Sequence, residues 1–279
     1  MPPSPQAFLY YSDACFYCLV LLIQYSSECN IMSLTKVSEL LRTEVDEADL
    51  LFSKFSSFLL AGKYGSGKTR FLFNFLKHHE RLGHEGSYSH VVVCYREDQD
   101  GLYDKLAHFL PTTTRISLFQ GSIPSDLYDG LDPHESGSKT HHLIIIDDLF
   151  AEAFSNLAVQ QLFISGRHKK ATVFLTTQNL FPPGAKHART ISLNACYIVL
   201  FRSRDKNQIK ILARQLLGSD KKGFLEAAVD DAIKLSGYLL IDCSPQQEID
   251  EIRYRTSVFQ AQPVVYIPKQ LEAPLLSNI

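Results

Sequence analysis

Residues 57–76 read "SFLLAGKYGSGKTRFLFNFL", and the fold turns on them. "SFLLAG" (57–62) is a short apolar run, the pattern of a buried strand. "KTRFLFNFLKHHERL" (68–82) has apolar residues at 71, 72, 75 and 76, which is helical spacing. Between them, Gly62-Lys63-Tyr64-Gly65-Ser66-Gly67-Lys68-Thr69 satisfies GxxxxGK[ST] in full. A turn of this kind wraps a polyphosphate with its backbone N–H groups pointing inward. That demands backbone angles a β-carbon would obstruct, and close approach to the oxygens. The helix that follows presents its N-terminus to the same anion. In this reading the ligand is ATP, Lys68 reaches the β- and γ-phosphates, and Thr69 Oγ1 takes a place on Mg²⁺. A chance glycine turn is the bland alternative, but the whole pattern matches and its flanks are the required ones.

Such a cradle needs a second strand that brings an acid to the metal. "LIIIDD" (143–148) has the right form: four apolar residues bury the strand and two carboxylates emerge at its end. Ligands of open α/β sheets sit at that edge. Asp147 is therefore expected to hold Mg²⁺, and Asp148 to orient or deprotonate the attacking water. An Asp pair capping a turn would look the same. Asp148 is also one methylene shorter than the Glu more usual at that position. The next strand, "ATVFLTTQN" (171–179), ends in Gln178 and Asn179. A neutral amide there can donate to the γ-phosphate or hold the lytic water, or simply cap the strand. Arg167 in "SGRHKK" precedes this strand, at the opposite edge from a nucleotide in the same subunit. It could stabilise phosphoryl transfer only in a neighbouring subunit. Arg189, Arg202 and Arg204 are its rivals.

The rest of the chain alternates strands and helices. "SHVVVCYR" (89–96), "RISLFQG" (115–121), "CYIVLFRS" (196–203), "GYLLIDC" (237–243) and "EIRYRTSVF" (251–259) read as strands. "GLYDKLAHFL" (101–110), "NLAVQQLFISGRH" (156–168), "DKNQIKILARQLLG" (205–218) and "GFLEAAVDDAIKL" (223–235) read as helices. Residues 122–140 are rich in Gly, Pro, Ser, Asp and His and read as a surface loop with one helical turn. The middle strands are apolar throughout, so the expected fold is α/β, a mostly parallel sheet with helices on both faces. "SLTKVSELLRTEVDEADLLFSKF" (33–55) is amphipathic and reads as helix. The expected organisation is an apolar N-terminal extension over 1–31, a helical segment over 32–56, a P-loop domain over 57–268 and a tail over 269–279.

Bulk properties narrow the partners. The chain has 279 residues and a formal net charge of −2, so nucleic-acid binding has to come from local patches. Lys206, Lys210 and Arg214 fall at i, i+4 and i+8, opposite an apolar stripe of Ile209, Leu212 and Leu216. "RHKK" (167–170) and "KHAR" (186–189) add two basic clusters, and together they could track a phosphate backbone. A solvated helix face explains the strip equally well. The block "CFYCLVLLIQY" (15–25) is about half the roughly 20 residues of a spanning helix, so no membrane partner is expected. No basic residue precedes it, as a secretory signal requires. Of six cysteines, Cys94, Cys196 and Cys243 stand alone in apolar runs, a pattern of reduced core thiols. "CFYC" (15–18) has metal spacing, with no second pair to answer it.

The order of parts has a resemblance. The P-loop, "HHLIIIDDLF", "LFISGRHKKATVFLTTQNLFPPG", "RTISLNACYIVLFRSRDKNQIKILARQ" and "GYLLID" together resemble the viral genome-packaging ATPases of the FtsK–HerA class. Within that class the chain looks most like those of Polinton/Maverick-type elements, adintoviruses and adenoviruses. The resemblance covers roughly residues 50–268. "TTQNLF" and "RTISLNACYIVLFRSRDKNQI" are its most specific pieces. It implies a RecA-like P-loop NTPase core that forms a ring, usually a hexamer. Such a ring pumps double-stranded DNA of any sequence into a capsid, with a portal or vertex protein as partner. It also implies residence in the host nucleus or cytoplasm, or in the virion. By motif it places Gly62 to Thr69 on the nucleotide, Asp147 and Asp148 on metal and water, Gln178 as sensor and Arg167 as the arginine acting in trans. A P-loop switch or small-molecule kinase without DNA translocation is the competing reading, and a non-catalytic binding protein is a third.

Overall fold

The strand before the glycine turn, β2 (Ser57–Ala61), is buried along its whole length, and α1 (Lys68–His78) leaves the turn with Phe71, Leu72, Phe75 and Leu76 buried. The computed structural model describes residues 40–44, 51–78, 88–97, 101, 103–134, 141–203, 205–217, 222–245 and 252–268. All of these belong to one compact unit, Thr35–Ile279. The block at 15–25, Cys15, Cys18, Cys29, Arg204 and the tail at 269–279 lie outside the described residues.

Next come β1 (Leu40–Glu44), β3 (His90–Tyr95), β4 (Arg115–Gln120), β5 (His142–Asp147), β6 (Ala171–Thr177), β7 (Tyr197–Phe201), β8 (Tyr238–Asp242), β9 (Tyr254–Thr256) and β10 (Val264–Pro268). They form one sheet in the order β1-β10-β9-β8-β7-β2-β6-β5-β3-β4. The six strands from β7 to β4 run parallel. β8, β9, β10 and β1 extend the sheet with antiparallel pairings.

Alternation of side chains along each central strand builds two cores. Phe58 and Leu60 of β2, Leu143 and Ile145 of β5, and Phe174 of β6 face α1. Leu59, Ile144, Ile146, Val173 and Leu175 face the other layer. That layer holds α2 (Phe150–Ala153), α3 (Leu157–Ser165), α4 (Ala188–Asn194), α5 (Lys206–Leu217) and α6 (Lys222–Leu235). The fold is the expected α/β arrangement, a mostly parallel sheet with helices on both faces. Under the glycine turn, Phe58 stacks on Phe174 at 4.3 Å between ring centroids, and Phe75 meets both rings edge-on. Each such pair adds about 0.5–1.5 kcal/mol beyond area burial, which makes a stiff seat for the turn.

The structure departs from the sequence reading in several places. Leu40–Glu44, expected to be helical, is an edge strand paired to β10, Leu40 opposite Pro268 and Glu44 opposite Val264. Its amphipathic pattern is short, and a partner more than 200 residues away decides its form. The strand expected over 251–259 is confined to Tyr254–Thr256, and β10 carried no reading at all. The helix expected over 101–110 is a 3₁₀ segment, Asp104–Phe109. α4 was also unread. Leu216, assigned to the core stripe of α5, is exposed; Gln208, Ile209, Leu212 and Ala213 are the buried set. The buried thiol of Cys94 is free, and burial pushes it up to about 12. Such a group behaves as a small apolar core residue, not a nucleophile.

Candidate functional site

Parallel strand order brings four carboxyl ends together. Ala61 of β2 lies opposite Thr177 of β6, Ile146 of β5 opposite Leu175, and Asp147 opposite Tyr95 of β3. Loops leaving these ends enclose a cleft of about 400 Å³, lined by residues 64–70, Glu97, Tyr103, Asp147, Asp148 and Gln178. This is the edge where open α/β sheets bind their ligands.

Close packing shapes the turn. A β-carbon on Gly62 would stand 2.6 Å from Phe201 Cβ and 2.7 Å from Ser66 Oγ, so no larger residue fits. Gly67 has φ +103, a conformation nearly reserved for glycine. The turn is tied to its neighbours by Gly62 N donating to Thr177 O at 3.0 Å and Lys63 N to Arg202 O at 3.4 Å. Phe71 N donates to Gly67 O at 2.9 Å, which starts the helix directly after the turn. Lys68 Nζ bends over the turn and donates to Gly62 O at 2.7 Å and Lys63 O at 3.0 Å.

Burial lowers the Lys68 ammonium from its ordinary 10.5, while Asp147 and Asp148 pull it back up. A polyanion in the cradle adds negative charge and raises it further. Between the lowered value of the empty site and the raised value of the filled one, binding therefore takes up a proton. Calorimetry of triphosphate binding over a series of pH values below 10.5, in buffers of different ionisation enthalpy, should show this uptake. Proton release would contradict it.

Asp147 is 7% exposed and accepts three hydrogen bonds. Thr69 Oγ1 donates to Oδ2 at 3.4 Å, Tyr103 Oη to Oδ2 at 2.8 Å, and Thr176 Oγ1 to Oδ1 at 2.5 Å. A buried carboxylate beside a threonine hydroxyl is a hard-oxygen pair that suits a small divalent cation. Among the described residues no group of three or more His, Cys, Asp or Glu could hold a metal alone. Mg²⁺ takes one or two protein oxygens and completes its shell with phosphate and water, and the Thr69–Asp147 pair supplies oxygens of that kind.

Asp148 has φ +56, unusual for a non-glycine residue. Its N–H donates to Thr176 Oγ1 at 3.0 Å, and its carbonyl accepts from Arg96 Nε at 2.9 Å. Backbone pinned on both sides leaves its carboxylate at the wall of the cleft. Strained residues held this way gather at functional sites. Gln178 lines the same cleft, but Asn179 does not. Asn179 Oδ1 accepts from Phe181 N at 2.8 Å and so serves the turn after β6.

Arg167 sits in the 3₁₀ segment Gly166–Lys169, in a different cleft with Ser53, Phe163 and Cys196. It does not line the glycine-turn cleft of its own chain. Arg189 and Arg202 are exposed and stand outside that cleft too. In the basic clusters Lys169 is engaged: its Nζ donates to Leu131 O at 2.9 Å and lies 5.1 Å from the Tyr128 ring. Lys206 reaches Asp230 at 3.4 Å in a solvent-exposed pair of small energetic weight. Lys210, Arg214, Lys186 and Arg189 are exposed.

Four members of the site went unread in the sequence: Arg70, Thr176, Tyr103 and Glu97. Thr176 carried a signal, because a hydroxyl buried in a strand beside an acidic strand needs a partner. Tyr103 and Glu97 carried none, since the β3–β5 pairing alone brings them to the carboxylates.

Comparisons with known proteins follow from this geometry. No family model matches the chain, and no curated protein matches it. Solved structures are similar to it. The DNA-packaging ATPase B204 from Sulfolobus turreted icosahedral virus is 13% identical, with 68% of this chain and 94% of that chain covered at a TM-score of 0.47. The genome packaging NTPase B204 from Sulfolobus turreted icosahedral virus 2, in complex with AMPPCP, is 15% identical, covering 67% and 92% at a TM-score of 0.46. In complex with sulfate it is 13% identical, covering 68% and 92% at a TM-score of 0.49. At these identities the likeness concerns the chain path, and the chemistry of the site rests on the residues of this chain.

Proposed function

We propose that this protein is an ATP-hydrolysing motor that translocates double-stranded DNA, and that its task is to package a viral or virus-like genome into a capsid. The observation that carries the ATPase part is the 3.4 Å approach of Thr69 Oγ1 to Asp147 Oδ2 at the mouth of the glycine turn. In this reading the amides of 62–69 and the N-terminus of α1 bind the β- and γ-phosphates, and Lys68 leaves its two carbonyls to meet them. Thr69 and Asp147 would hold Mg²⁺, which neutralises charge on the phosphate oxygens when bound. Asp148 takes the proton of a water whose oxygen attacks the γ-phosphorus, as the bond to the β–γ bridging oxygen breaks. Gln178 orients that water. Arg167 serves the cleft of a neighbouring copy in a ring, a hexamer by resemblance, because the length of β6 separates it from its own cleft.

The DNA part rests on the exposed basic side chains Lys186, Arg189, Lys210 and Arg214, and on the resemblance carried by "TTQNLF" and "RTISLNACYIVLFRSRDKNQI". A portal or vertex protein as docking partner, and residence in host nucleus, cytoplasm or virion, follow from the same resemblance. The test is ATP turnover by the full chain with and without duplex DNA. Duplexes of unrelated sequence should stimulate it equally. Stimulation should fall with salt, at a log–log slope of about −0.9 for each phosphate contacted. The charge-removing pair Lys210→Ala and Arg214→Ala should flatten that slope. Turnover indifferent to DNA, in a protein that stays monomeric with ATP, would instead favour a P-loop switch or small-molecule kinase.

A further inference from the structure

The sheet changes character between β7 and β8. Strands on the β7 side run parallel, and β8 is the first antiparallel one. At this junction Phe58 of β2, Tyr197 of β7 and Asp242 of β8 lie side by side. One residue further from the glycine turn, the same register sets Ser57, Cys196 and Cys243 in a row. Residues directly opposite each other share a face of the sheet, so the two cysteines point the same way. The contacts agree. Cys243 N donates to Cys196 O at 2.7 Å. Cys196 N donates to Ser57 Oγ at 3.1 Å, and the one Ser57 hydroxyl proton is shared between Cys196 Sγ at 3.6 Å and Asn194 O at 3.1 Å.

Both thiols are free and half-buried. Both line one cleft of about 270 Å³, at the sheet edge opposite the glycine turn. Cross-strand neighbours joined by a backbone hydrogen bond have Cα atoms about 5.5 Å apart. Disulfides span Cα separations of roughly 4.4–6.8 Å, so this rung can close without moving a strand. Lys54 and Arg167 line the cleft, and neither Asp nor Glu does. An electropositive wall of this kind favours a thiolate. The two sulfurs are unequal. Burial pushes the Cys243 thiol up to about 12, Asp242 and the Cys196 sulfur adding to the push and Arg253 opposing it. Cys243 therefore rests as a thiol, and Cys196, with a hydroxyl donor at its sulfur, reacts first.

We propose that Cys196 and Cys243 form a reversible dithiol–disulfide site that staples the antiparallel half of the sheet to the parallel half. The co-reactant is a small disulfide of the oxidised glutathione type. The Cys196 thiolate attacks one glutathione sulfur, the glutathione S–S bond breaks and one glutathione thiolate leaves. Cys243 then gives up its proton, its sulfur attacks Cys196, and the second glutathione leaves. Two cysteines are oxidised, one glutathione disulfide is reduced, and the two cysteine protons end on the two released thiols. In a reducing compartment the pair rests open. The inference stands on the strand register and is independent of the triphosphate reading.

Peptide mapping by mass spectrometry, on the full chain after incubation with oxidised glutathione, tests it. A linked pair of peptides joining Cys196 to Cys243 should appear and should vanish with dithiothreitol, while the buried Cys94 stays unmodified. Cys243→Ala should hold at least roughly tenfold more glutathione on Cys196 than wild type does, because the neighbouring thiol that expels it is gone. The oxidised wild type should reach its urea midpoint at a higher concentration than the reduced chain, since the bond closes a long loop of the unfolded chain. Cys243→Ala treated in the same way should show no such rise. Glutathione retained on wild-type Cys196, a bridge from either cysteine to any other, or a wild-type midpoint that fails to rise overturns the proposal. The wild-type map and midpoint decide it even where the variant fails to fold.

Discussion

Lys68→Ala cuts ATP turnover by at least about 100-fold, the scale for removing a single preorganised charge from a transition state. Among the described residues Lys68 is the one lysine that lines the cleft, and its ammonium is partly desolvated. Its charge therefore acts on the phosphates through a medium of low polarisability, where it counts for more than in water. The substitution should leave folding nearly untouched. Lys68 contributes two hydrogen bonds to carbonyls of its own turn, and no ion pair within hydrogen-bonding distance. Steady-state turnover and a urea midpoint, measured on the same preparation, separate the two effects. Undiminished turnover in a folded variant would remove the glycine turn from the chemistry, and the motor reading with it.

Asp242→Asn destabilises the fold by about 3–5 kcal/mol, the cost of stripping a buried charge of its partner. Arg255 is fully buried, and its Nη2 donates to Asp242 Oδ2 at 2.8 Å. Its Nε and Nη1 have no hydrogen-bond partner among the described residues, and the guanidinium lies 5.6 Å from the centre of the Phe52 ring. Burial pulls the guanidinium below its ordinary range and Asp242 opposes that pull, so the carboxylate is what keeps the cation tolerable there. Against a total stability of about 5–15 kcal/mol for an ordinary domain, the loss is large. The double replacement Asp242→Leu with Arg255→Met should recover most of it, because an apolar pair of similar volume removes both desolvation penalties. Urea unfolding of wild type, single and double variants reads this directly. A single variant within 1 kcal/mol of wild type would show that the pair does not hold β8 to β9.

The residues of the glycine turn were legible without a structure, because the demands on them are local. Gly62, Gly67, Lys68 and Thr69 answer demands made within eight consecutive positions, and the strand before and helix after them announce themselves by period. Asp147 was legible for a related reason: an uninterrupted apolar run buries its strand and delivers the acid at a known edge. Gln178 followed from adjacency, since consecutive parallel strands tend to pair. The sheet's antiparallel half was less legible. β1 and β10 pair across more than 200 residues, and short edge strands take their form from their partners more than from their own composition.

Sequence alone therefore determined that a glycine turn stands between a buried strand and a helix, with a carboxylate-bearing strand ending beside it. Backbone amides and one lysine need only neighbouring residues to be positioned. Tertiary structure decided the rest: Thr176 and Tyr103 steadying Asp147, Glu97 in the cleft wall, and an aromatic cleft behind the turn. Those positions depend on which strands lie side by side, and strand order is set by the packing of the whole sheet, which no short stretch of the chain encodes.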